Sequence, residues 1–132
     1  LRLAREREEL AIVADQVGAP TTARLIADVS AECINSMKNP QGASTPETGL
    51  YHLTTSGNTS WHGFAEEIFS NQMDLGDDSL AIQRVDPIKT SDYPTPATRP
   101  LYSCLDTSKL EQNFGLTMPR WQDSLRLCQA EL

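Results

Sequence analysis

Apolar residues change rhythm several times along the chain, and each change falls where polar residues, glycine or proline gather. Residues 10–14 (LAIVA) form a short unbroken apolar run after a charged opening, which predicts a buried strand. Leu25, Ile26, Val29, Cys33, Ile34 and Met37 then recur every three or four positions and predict an amphipathic helix. Thr21 or Thr22 can cap its start, and Asn39-Pro40-Gln41-Gly42 ends it. Residues 50–53 (LYHL) predict a second short strand. Ser60 caps the next helix, where Trp61, Phe64, Ala65, Ile68 and Phe69 fall at i, i+3, i+4, i+7 and i+8. Residues 80–85 alternate and predict a third, half-buried strand. Asp106 caps a short helix carrying Leu110 and Phe114, which stops at Gly115. Pro119 opens the last helix, with Trp121, Leu125, Cys128 and Leu132 as its core stripe.

The opening residues 1–9 (LRLAREREE) read as the middle or end of a helix, with Arg5 and Glu9 spaced as an ion pair. A chain that begins inside an element is expected to be a piece of something longer. Residues 39–49 and 74–78 read as surface loops. Residues 86–102 hold Pro87, Pro94, Pro96 and Pro100, so an extended, stiffened loop is predicted there. Helices alternating with short strands predict α/β layering in one domain spanning residues 1–132.

Composition narrows the function. The chain has 132 residues, 39% of them hydrophobic, which is enough for a core and argues against disorder. The formal net charge of -7 disfavours binding to a phosphate backbone, so no nucleic acid is expected as a partner. No apolar run approaches the roughly 20 residues of a membrane span, so no membrane is expected either. No secretory leader is seen at the start. Cys33, Cys104 and Cys128 are odd in number, widely spaced and free of any CxxC pair. They predict small buried hydrophobes in a reducing cytoplasm rather than a disulfide framework or zinc site.

The known catalytic signatures are missing. The seven glycines are isolated, so there is neither a GxGxxG dinucleotide turn nor a P-loop. No GxSxG elbow occurs, and none of Tyr51, Tyr93 and Tyr102 has a lysine four residues on. His52, placed inside a predicted strand, and His62, in the first turn of a predicted helix, are read as structural. Asp74, Asp77 and Asp78 lack calcium-loop spacing, and no metal site is expected. Asn58-Thr59-Ser60 matches a glycosylation sequon without any sign of secretion.

Two stretches remain. Residues 15–21 (DQVGAPT) form a polar turn at the C-terminal end of a predicted strand, where α/β sheets bind ligands. Residues 93–100 (YPTPATRP) place Arg99 on a proline-stiffened loop, and its planar guanidinium suits a phosphate. The bland alternative is that the turn only connects elements and Arg99 only pairs with a surface carboxylate.

These stretches carry a resemblance. With residues 1–10 (LRLAREREEL), 50–53, 56–61 (SGNTSW), 105–110 (LDTSKL) and 113–121 (NFGLTMPRW), they run in the order found in the dTDP-4-dehydrorhamnose reductases. That family belongs to the extended short-chain dehydrogenase/reductase superfamily. The resemblance implies an α/β fold: the C-terminal substrate-binding portion of such an enzyme, with short strands and about four helices, lacking the N-terminal Rossmann domain. It implies a full-length reductase that uses NADPH or NADH to convert dTDP-4-dehydro-6-deoxy-L-mannose to dTDP-L-rhamnose, a precursor of bacterial surface polysaccharides such as lipopolysaccharide O-antigen. The cofactor and the catalytic tyrosine and lysine would lie in the missing half. These residues alone are therefore expected to be inactive, with no catalytic, cofactor-binding or metal-binding residue of their own. The expected partners are the dTDP-sugar, the Rossmann domain and a second copy of the chain, in the cytoplasm. On the substrate side the resemblance points to Gln16 and Thr21 in the turn and to Arg99 and Ser103 in the loop, with Arg99 toward the diphosphate. Two other readings fit the superfamily: a non-catalytic regulatory subunit, as for the relative that regulates methionine adenosyltransferase, and a related nucleotide-sugar epimerase or reductase.

Overall fold

The computed structural model describes residues 1–38 and 46–131. The breaker at 39–42, most of the loop expected at 39–49, and Leu132 lie outside the described residues. The order of elements is α1 (Arg2–Glu6), β1 (Glu9–Val13), β2 (Val17–Gly18), α2 (Ala23–Lys38), β3 (Thr59–Ser60), α3 (Trp61–Asp74), β4 (Arg84–Ile88), a 3-10 turn (Thr90–Asp92), α4 (Ser108–Phe114) and α5 (Trp121–Gln129). The α/β class is as expected, with five α-helices among the described residues.

β1 and β4 pair in parallel, from Glu9 opposite Arg84 to Val13 opposite Ile88. The third strand therefore sits about four residues later than its alternation suggests and runs into the proline-rich stretch. Pro87 stands opposite Ile12 within it. A strand with one neighbour needs donors on one side only, so a residue without an N–H is tolerated. Residues 80–83 are instead drawn onto α1. Ala81 and Ile82 both donate to the Ala4 carbonyl, at 2.9 and 3.0 Å. β1 was expected to be buried, but only one of its faces is covered. Leu10, Ile12 and Val13 are half-buried and Ala11 is exposed.

The first core lies between this sheet and α3. Ala4, Ala65, Phe69 and Ile82 are buried in it, with Leu10, Ile12, Ile68 and Val85 packed around them. A second core joins α2 to α4 through Val29, Leu110 and Met118. Tyr51 and Leu53 pack against it. Residues 50–53 thus supply side chains to a core but form no strand, because no neighbour lies in register with their backbone. His52 is accordingly exposed and outside any strand.

Several helix faces differ from the predicted stripes. On α2, Val29 is buried while Ile26, Ile34 and Met37 are exposed. The inward line is Leu25, Val29 and Cys33, a four-residue spacing. On α5, Trp121, Ser124, Leu125 and Gln129 face inward and Cys128 is exposed. A buried amide pair sets that rotation. Asn71 donates to Gln129 Oε1 at 3.0 Å, and Gln129 Nε2 donates to the Ile68 carbonyl at 2.9 Å. The cysteines are less buried than expected, with Cys33 and Cys104 intermediate. What burial Cys33 has pushes its thiol pKa up, away from thiolate chemistry.

The caps follow the sequence more closely. Leu25 N–H donates to Thr22 Oγ1 at 3.3 Å, so Thr22 rather than Thr21 caps α2. Gly63 N–H donates to Ser60 Oγ at 3.0 Å. Asp106 lies one residue before the Thr107 N-cap of α4 and accepts from Ser108 N–H at 2.9 Å, while Gly115 closes α4 at φ 64°, a conformation that suits glycine. The expected Arg5–Glu9 pair does not form, because α1 ends at Glu6 and Glu9 already lies in β1. Arg5 pairs instead with Asp77 at 3.0 Å, and Glu9 with Arg84 at 3.0 Å.

Candidate functional site

Parallel pairing brings the C-terminal ends of β1 and β4 to the same sheet edge. The turns that follow are tied together there. Asp15 accepts the Thr90 N–H at 2.9 and 3.1 Å and the Thr90 hydroxyl at 2.6 Å. The hydroxyl bond is the largest influence holding the Asp15 carboxyl below its ordinary pKa, with the Thr90 N–H and the Lys89 charge adding to it against burial. Gln16 Nε2 donates to the same Thr90 oxygen at 3.0 Å, which fixes the amide at the turn.

The next residue recruits the proline-rich loop. Val17 N–H donates to the Leu101 carbonyl at 2.8 Å, and the Val17 carbonyl accepts the Ser103 N–H at 2.9 Å. Ser103 Oγ donates to the same carbonyl at 3.2 Å. These bonds lay residues 101–103 beside β2 and bring Arg99 and Pro100 close. The antiparallel pairing of Val17 with Ser60 and Gly18 with Thr59 brings in the start of α3. The contacts are tight. A Cβ on Gly18 would stand 3.0 Å from Ser103 Oγ, and one on Gly63 only 2.6 Å from Thr59 Oγ1.

The result is a cleft of about 350 Å³, within the size range of small-molecule sites. Residues 16–20 form its floor. Thr59, Ser60, Trp61 and Phe64 make one wall, and Arg99, Pro100 and Ser103 the other. Arg99 is exposed and makes no ion pair among the described residues, so the surface carboxylate of the bland alternative is not there. By contrast, Arg24 in the second cleft, between the start of α2 and α5, is held by Asp28 and Glu131.

Gln16, Arg99 and Ser103 are thus gathered in one cleft. Thr21 is not among its lining residues. Its hydroxyl donates to the Ala19 carbonyl at 3.0 Å and accepts the Thr55 N–H at 3.2 Å. Thr55 in turn donates to the Pro20 carbonyl at 2.8 Å. Thr21 therefore shapes the floor from behind. Trp61, read from the helical rhythm as core, is 58% exposed and belongs to the cleft. Its place at the very start of the helix, before the first turn closes, was the available signal. His62 has the structural role expected of it, with Nε2 3.0 Å from the Val85 carbonyl and Nδ1 3.1 Å from Glu66 Oε2. Among the described residues no group of His, Cys, Asp and Glu is arranged to hold a metal ion, and no helix is long and apolar enough to cross a membrane.

The cleft thus lies at the carboxyl ends of paired parallel strands, where open α/β sheets bind their ligands. The chain belongs to the RmlD substrate binding domain family, whose model matches residues 1–132. It is 46% identical over 133 residues to the dTDP-4-dehydrorhamnose reductase of Burkholderia thailandensis, covering 100% of this chain and 45% of that protein. The corresponding protein of Escherichia coli K12 is 44% identical over 132 residues, covering 100% of this chain and 42% of its own length. A crystal structure of the Bacillus anthracis reductase in complex with NADP superposes with a TM-score of 0.76 at 32% identity, covering 99% of this chain and 41% of that one. A Clostridium acetobutylicum ortholog gives 0.80 at 31% identity, covering 99% and 42%. The chain therefore spans less than half the length of these relatives, and it matches their C-terminal part.

The residues present do not fit a dinucleotide. A pyrophosphate is cradled by backbone N–H groups in a glycine-rich turn. Here the turn after β1 carries a single glycine, Gly18, and its Val17 N–H is already given to the Leu101 carbonyl.

Proposed function

We propose that this chain forms the nucleotide-sugar-binding side of a dTDP-4-dehydrorhamnose reductase. In that enzyme dTDP-4-dehydro-6-deoxy-L-mannose becomes dTDP-L-rhamnose at the expense of NADPH or NADH. The nicotinamide cofactor is held by residues outside these 132. The setting is cytoplasmic, and the product feeds bacterial surface polysaccharide such as O-antigen. The enzyme works as a homodimer, with neither nucleic acid nor membrane as a partner.

One observation carries this reading. Main-chain bonds from Val17 bring Arg99, which has no ion pair among the described residues, from a distant loop into the cleft that holds Gln16 and Ser103. Arg99 offers a forked donor to the diphosphate. Gln16, anchored through its nitrogen on Thr90, and Ser103, whose hydroxyl proton goes to the Val17 carbonyl, have oxygens left that can accept from the ligand. Thr21 positions the turn.

The test is a chimera. The N-terminal part of the Burkholderia thailandensis reductase is joined to this chain at the aligned boundary. The chimera is expected to oxidise NADPH only when the dTDP-4-keto sugar is present. A folded chimera that binds NADPH but neither binds nor reduces that sugar overturns the reading.

A further inference from the structure

The sheet ladder runs one bond past β1 and β4, where Ala14 N–H gives to the Ile88 carbonyl at 2.9 Å. Just beyond that bond, Asp15 and Gln16 on one side and Thr90 on the other are held at fixed stations. The protons among them can be counted. Asp15, kept below its ordinary pKa, is ionised at neutral pH, so it accepts and gives nothing. Thr90 has two protons to give, on its nitrogen and its hydroxyl, and both go to Asp15 Oδ1, at 2.9 and 2.6 Å. With its own proton spent, the Thr90 hydroxyl oxygen has lone pairs alone to offer, so a neighbour at hydrogen-bond distance must be a donor. Gln16 meets it at 3.0 Å with Nε2, the end of the amide that carries protons. The other end, Oε1, takes no hydrogen bond among the described residues, and Gln16 lines the cleft.

The two ends of a side-chain amide are nearly alike in shape, so packing alone chooses poorly between them. Hydrogen-bond direction has to choose. Here that direction begins at a carboxylate outside the cleft, since neither Asp15 nor Thr90 is among the lining residues. We propose that Asp15 is a positioning residue that, through the Thr90 hydroxyl, sets the Gln16 amide with its oxygen rather than its nitrogen toward the ligand. Without a carboxylate to take its proton, the Thr90 hydroxyl is free to turn and give to Gln16 Oε1. The amide then presents two protons where it had presented lone pairs. This rests on the nucleotide-sugar reading above and deepens it by naming what fixes the polarity of one contact.

The experiment is a double-mutant cycle on the 132-residue chain, read by calorimetry with dTDP-L-rhamnose and, separately, by thermal melting. One directed hydrogen bond to a ligand corresponds to roughly 2- to 12-fold in affinity. Asp15→Ala and Gln16→Leu should each weaken binding by a factor in that range. The double variant should bind no more weakly than Gln16→Leu, because Asp15 has nothing left to orient, while its melting temperature still falls with the lost Asp15 bonds. Thr90→Val should repeat the Asp15→Ala result, and takes its place in the cycle if circular dichroism finds Asp15→Ala unfolded. Thr90→Ser, which keeps the hydroxyl, should bind like wild type. Losses that multiply in the double variant would mean that Asp15 merely shapes the turn, and they overturn the inference. So would wild-type affinity in a folded Asp15→Ala or in Gln16→Leu, or a Thr90→Ser as weak as Thr90→Val. These outcomes leave the nucleotide-sugar reading standing. If wild type does not bind dTDP-L-rhamnose, that reading falls at this cleft and the inference falls with it.

Discussion

Thr90 and Asp15, 75 residues apart in sequence, form the tie that closes the sheet edge beneath the cleft. The Thr90 hydroxyl gives its proton to Asp15 at 2.6 Å and takes one from Gln16 at 3.0 Å, so a single oxygen orients both neighbours.

This tie has a pH signature. Asp15 titrates below its ordinary value in the folded chain. Its contribution to stability is therefore complete above the unfolded carboxyl value, about 4, and is lost as pH falls through the lower folded value. Thr90→Val removes the main cause of the shift. Urea midpoints measured at pH 7 and pH 3 should lie closer together in Thr90→Val than in wild type, and the Asp15 carboxyl carbon should titrate at higher pH by NMR.

Arg99→Ala should weaken dTDP-L-rhamnose binding roughly tenfold or more, the scale of a charge-assisted pair. The melting temperature should stay put, because Arg99 is exposed and holds no ion pair among the described residues. Calorimetry at two salt concentrations checks this. The salt dependence of binding should shrink in the variant.

Gly63→Ala tests the packing at the start of α3. The added methyl would lie 2.6 Å from Thr59 Oγ1 and force a shift costing about 1–3 kcal/mol. Adding Thr59→Ala removes the obstructing oxygen. The double variant should regain most of the stability in thermal melts, whereas strictly additive losses would show the clash is not the cause.

Gln129→Leu leaves the Asn71 amide and the Ile68 carbonyl without their buried partner. A loss of about 1–3 kcal/mol is expected by denaturant unfolding. Pairing it with Asn71→Leu should recover part of that loss, since two apolar groups replace a bonded pair more cheaply than one.

The sequence made the helices legible because caps and three-to-four spacing are local signals. Ser60 and Gly115 each act where their chemistry suggests, and Asp106 acts one residue ahead of the cap. The strands were harder to read. β2 and β3 have two residues each, too few for any alternation to register, and β4 runs through Pro87 because only one of its sides has to pair. Residues 50–53 look like a strand because they are apolar, yet strands are made by neighbours, and none is in register there. The cleft was legible in its parts, as a polar strand-end turn and an arginine on a stiff loop. Their meeting was not, since Val17 joins them through backbone atoms that carry no side-chain signature. Trp61 was misplaced because a helical rhythm records period and phase but not where the partner surface ends.

That use of Val17 bears on how the cleft can vary over time. The bonds to Leu101 and Ser103 are made by the peptide groups, which every residue except proline supplies in full. The side chains at 17, 101 and 102 can therefore drift among related proteins while the loop keeps its station. A proline at position 17 or 103 would remove a donor and let the arginine go. Inheritance of this cleft depends less on which residues sit along its seam than on which one must never be there.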